Sequence, residues 1–96
     1  MGADSFTYKI KGKNAKTAFM NAVAEARYDH GHSGYTGTIA EKNDYVMIPL
    51  PEGKDPLKYA YELIDDADKR IDDKWGPAGC FDLGNGEYFF FGWASS

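Results

Sequence analysis

The chain has 96 residues, 43% of them hydrophobic and 16% aromatic, and a formal net charge of −4. This length suits one packed domain spanning 1–96, and the acidic balance argues against general nucleic-acid binding, which rests on basic surface that releases counterions from phosphates. Cys80 is the lone cysteine, so no internal disulfide can form, and no apolar run approaches the roughly 20 residues of a membrane-spanning helix. The expectation is a cytoplasmic protein with no membrane contact and no cofactor.

In chain order, Phe6, Tyr8 and Ile10 alternate with Thr7, Lys9 and Lys11, the period of a half-buried strand. Asn14 can cap a helix whose stripe of Ala15, Ala18, Phe19, Ala22, Val23, Ala26 and His30 is narrow enough to lie close to a sheet, with Gly31 as its stop. Tyr35–Ala40 is β-branched and aromatic and predicts a second strand. Tyr45–Leu50 is continuously apolar and predicts a central third strand ending at Pro49. Asp55-Pro56 opens a second helix, whose stripe of Leu57, Ala60, Ile64, Ala67, Ile71 and Trp75 runs on to Gly76-Pro77. Two final strands, 79–83 and 87–93, join through Gly84-Asn85-Gly86 as a hairpin. The order predicts an α+β, ferredoxin-like β-α-β-β-α-β fold with an extra C-terminal strand, its antiparallel sheet carrying both helices on one face.

The helix-to-strand junction at 29–38 gathers glycines, hydroxyls and both histidines of the chain. His30, His32, Ser33, Thr36 and Thr38 are the candidate ligand-binding residues, since glycines admit close approach and hydroxyls and imidazoles supply polar contacts. A small polar ligand fits this chemistry. The segment matches neither a P-loop nor a dinucleotide fingerprint, and it follows a helix C-terminus, whose dipole disfavours anions. The competing reading is a plain connection in which His30 belongs to the helix stripe. A metal would need Asp29, Asp44 or Cys80 to complete two histidines, and no metal site is assigned. No catalytic residue is assigned either. The alternative function is a small enzyme using His30 or His32 as general base.

Two surfaces suggest partners. Acids between Asp65 and Asp73 could mimic a nucleic-acid backbone, but Lys69, Arg70 and Lys74 interleave with them, and a solvated helix face accounts for the pattern. The last strand is apolar on both faces. Phe89, Phe91 and Trp93 are therefore the candidate interface of a homo-oligomer, because so hydrophobic an edge is normally covered.

The stretches Gly34–Lys42, Trp75–Cys80 and Phe91–Ser96 resemble small uncharacterised proteins of phages and mobile elements. The resemblance implies no activity, cofactor or binding residue. It points to an accessory role, such as countering a host defence. The residues together point to a non-enzymatic binding protein that holds a small polar ligand or a host protein.

Overall fold

A computed structural model describes residues 2–30 and 35–96, with backbone alone for His30. Strand β1 (Ala3–Lys11) is followed by helix α1 (Ala15–His30), strand β2 (Tyr45–Met47), helix α2 (Pro56–Asp65), and strands β3 (Ala78–Gly84) and β4 (Glu87–Ser95). The class is α+β, but the sheet order is β1-β4-β3-β2, with β2 parallel to β3 and the other pairs antiparallel. This is not the ferredoxin-like arrangement, and the described residues form four strands where five were expected. β2 lies at an edge, not in the centre. Its apolar run is short as a strand because Pro49 follows closely and cannot donate to a ladder.

Local signals explain most of the elements. The Asn14 side chain accepts from the Thr17 N–H at 2.8 Å and starts α1. Asp55 caps α2 by accepting from the Lys58 N–H at 3.2 Å, with Pro56 in the first turn. The β3–β4 hairpin turns at Asn85-Gly86, both with positive φ, the geometry whose twist matches the flanking strands.

The helices cover opposite faces of the sheet, correcting the one-face expectation. Ala18, Phe19, Ala22 and Ala26 of α1 pack with Phe6, Cys80, Phe90 and Ala94. Ala60, Leu63 and Ile64 of α2 pack with Phe81, Phe89, Phe91 and Ile71. Alternation along β4 sends Phe90 to the first layer and Phe89 and Phe91 to the second. The apolarity of β4 on both faces is thus met within the chain. Phe89 and Phe91 are interior residues of the monomer, and only Trp93 of the three retains partial exposure.

Helix α2 stops at Asp65, some ten residues short of its apolar stripe. The Asp68 N–H reaches back to the Leu63 carbonyl at 3.0 Å and the Ala67 N–H to Ile64 at 3.2 Å, a Schellman closure with Ala67 at φ 53°. Glycine usually marks that position, and its absence hid the helix end. Beyond it, Asp68 accepts from the Arg70 backbone N–H and from two guanidinium nitrogens at 2.9 and 2.8 Å, which hold its carboxyl down at about 2. Arg70, expected on a solvated helix face, instead lies beyond the helix end and meets its acid through this local fork. Ile71 returns to the core, while Trp75 is left outside.

Candidate functional site

The segment expected to be the second strand is a loop leading into a 3-10 turn, Ile39–Glu41. Thr38 is its cap, its hydroxyl accepting from the Ala40 N–H at 3.2 Å. The Thr36 hydroxyl lies 2.7 Å from that of Thr38 and donates to Glu41 Oε2 at 2.9 Å, while the Thr36 N–H donates to the same oxygen at 3.1 Å. Both candidate hydroxyls are therefore engaged in folding their own loop. His32 and Ser33, the Gly31 stop and the side chain of His30 lie outside the described residues. Thr38→Val removes the cap and leaves Thr36 without its neighbour, so we expect a loss of about 1 kcal/mol, read from the shift in urea midpoint.

What the junction does build is one wall of a corner. Tyr35 stands edge-to-face to Trp75, ring centroids 5.4 Å apart, and the two rings are 52% and 59% exposed. Beside them Ala3, Asp72, Asp73, Lys74, Trp75 and Trp93 line a hollow of about 320 Å³. Asp72 and Asp73 are exposed at its rim. The Lys74 ammonium sits 5.3 Å from the Trp75 ring centre and donates to the Gly2 carbonyl at 3.3 Å.

Behind the Trp75 loop lies a buried lysine. Lys42 is 2% exposed, and its ammonium donates to the carbonyls of Asp73, Lys74 and Gly76 at 3.2, 3.1 and 2.9 Å. Three backbone oxygens from one turn converge on three ammonium protons, which fixes the loop and turns Trp75 outward. Burial lowers the pKa of Lys42 to about 8, opposed by the nearby Asp73 carboxylate. The Ser95 hydroxyl is also buried, with no hydrogen-bond partner among the described residues. It belongs to the sheet face of Ala3, its cross-strand partner, and of Trp93, both of which line the hollow.

Cys80 is fully buried in the α1 layer, and burial pushes its thiol up to about 12. A thiol in that state is a poor nucleophile and a poor metal ligand. Among the described residues no group of three or more His, Cys, Asp or Glu side chains is placed to hold a metal ion. No described helix is long and apolar enough to cross a membrane.

The chain matches no family model, no curated protein and no solved structure at a significant level. Three separate stretches of the chain meet at this one corner. Tyr35–Lys42 supplies the capped turn and the buried lysine, Trp75-Gly76 supplies the indole and one of the anchoring carbonyls, and Trp93–Ser96 closes the sheet end, where Gly37 donates to the Ser95 carbonyl at 2.8 Å.

Proposed function

We propose that this chain is a small non-enzymatic binding protein whose docking surface is the Tyr35–Trp75–Trp93 corner, and that the corner takes a cationic segment of a partner protein. The observation that carries the reading is the exposed Trp75 on an anchored turn, edge-on to Tyr35 and flanked by Asp72 and Asp73. Tryptophan and tyrosine offer large rigid contact area, and an indole beside carboxylates attracts ammonium or guanidinium groups, as the chain's own Lys74 ammonium 5.3 Å from the Trp75 ring centre illustrates. The charge distribution supports the same partner, since residues 52–96 carry ten acids against five bases. Taken with the resemblance to mobile-element proteins, the partner would be a host protein and the role accessory, such as countering a host defence.

An arginine-rich peptide with a fluorescent label is a direct probe. The wild type should bind it in a salt-sensitive manner, and Trp75→Ala should weaken binding by about tenfold or more, the scale of an interface hot spot. The melting temperature should barely change, because Trp75 lies outside both core clusters. Equal peptide affinity in the two proteins would remove Trp75 from the function.

A further inference from the structure

The two edges of the sheet differ. β2 is three residues long and is followed closely by Pro49 and Pro51, whereas β1 runs nine residues without proline or bulge. The backbone bonds show which groups of β1 are free. Gly2 and Ser96 exchange both N–H···O=C bonds, at 3.2 and 3.1 Å, and at the other end Gly12 donates to Gly86 at 2.9 Å. In the antiparallel register between them, hydrogen-bonded pairs alternate with non-bonded ones. The even-numbered residues of β1 therefore turn their peptide groups to β4. The N–H and C=O groups of Ala3, Ser5, Thr7, Lys9 and Lys11 point away from the sheet, and no described residue takes them.

From this edge we infer that two copies of the chain associate through β1, antiparallel about Thr7, into one continuous eight-stranded sheet. Thr7 is the midpoint of the strand, so this register uses its full length. All five outward residues then meet outward residues, and every free peptide group in Ala3–Lys11 finds a partner. The charges select the register. Lys9 falls opposite Ser5 of the second copy and Lys11 opposite Ala3, while moving the axis to Ile10 would set Lys9 against Lys11, which is unfavourable. On the other face Phe6 meets Tyr8, and Tyr8 is held in place by donating to Glu25 Oε1 at 2.8 Å. Edge lysines normally discourage pairing. Here they reject foreign and slipped strands and tolerate the symmetric one. The interface is isologous and closes at two copies. This inference is independent of the docking corner, and it places the association on a strand edge instead of on the buried Phe89 and Phe91.

The test is the mass of the full chain in solution from micromolar to millimolar concentration, with amide exchange alongside. The wild type should reach a dimer, with the Thr7 and Lys9 amides protected. Thr7→Pro deletes an outward N–H that the monomer does not use, and it should give a monomer with unchanged helical circular dichroism. Should that variant not fold, a charge pair decides the question. Ser5→Lys faces Lys9 of the second copy twice by symmetry and should weaken dimerisation about tenfold, while Ser5→Glu should strengthen it, and salt should narrow both effects. A wild type that stays monomeric throughout, or a dimer indifferent to both Ser5 substitutions, overturns the inference.

Discussion

Phe91→Lys should abolish cooperative folding. The ring is fully buried, 4.6 Å from Phe81 between centroids, and it lies over Gly79 so closely that a Cβ there would come within 2.6 Å of it. Truncating such a residue to alanine costs about 3–5 kcal/mol, and an unpaired ammonium in the same place costs more. That sum consumes the roughly 5–15 kcal/mol that holds a domain of this size together. Had β4 been covered by a second chain, the same substitution would have produced a folded monomer. The two accounts part on far-UV circular dichroism: a chain interior predicts loss of the helical signal and of the thermal transition, and a retained signal would contradict the packing described above.

Lys42→Met should be the second large effect. It removes the donor from three carbonyls of one part-buried turn, and an acceptor left unsatisfied away from water costs about 1–3 kcal/mol. Relief of the desolvated ammonium offsets part of this, so a net loss of about 3 kcal/mol is expected from denaturant titration. The pH dependence carries a definite sign. The pKa of Lys42 falls from 10.5 to about 8 on folding, so between those values the unfolded chain holds more protons than the folded one. Lys42 therefore makes wild-type stability rise with pH across that window, and the gap to Lys42→Met should widen from pH 8 towards 10.5. The variant should also show a more mobile Trp75, because its turn has lost its anchor. A gap independent of pH would mean that Lys42 is hydrated in the folded protein.

The fold was partly legible in the residues. Alternation at Phe6–Ile10, the Asn14 and Asp55 caps, the alanine stripe of α1 and the Asn85-Gly86 turn each follow from local chemistry, and each appears where that chemistry places it. What failed was non-local or atypical. Tyr35–Ala40 has the residues of a strand, but Thr36, Thr38 and Glu41 satisfy one another and leave a capped turn. Ala67 closes α2 in a conformation normally given to glycine, so the apolar spacing of Ile64, Ala67, Ile71 and Trp75 suggested a helix that ends early. That misreading hid the exposed Tyr35–Trp75 corner, because Trp75 counted as a core residue. Lys42 gave no signal at all. A lysine enters the interior when a distant turn offers three carbonyls, and the sequence does not show which turn that is. Strand order was also beyond reach, since β2 pairs with β3 across the whole of α2.

The most direct measurement is a titration of the isotope-labelled chain with an arginine-rich peptide, following the two tryptophan indole N–H resonances and the Tyr35 amide at low and high salt. The account predicts that the Trp75 and Trp93 indoles and Tyr35 shift together and saturably, and that salt weakens the effect. Shifts confined to other surfaces, or indoles that do not move at saturating peptide, would contradict it.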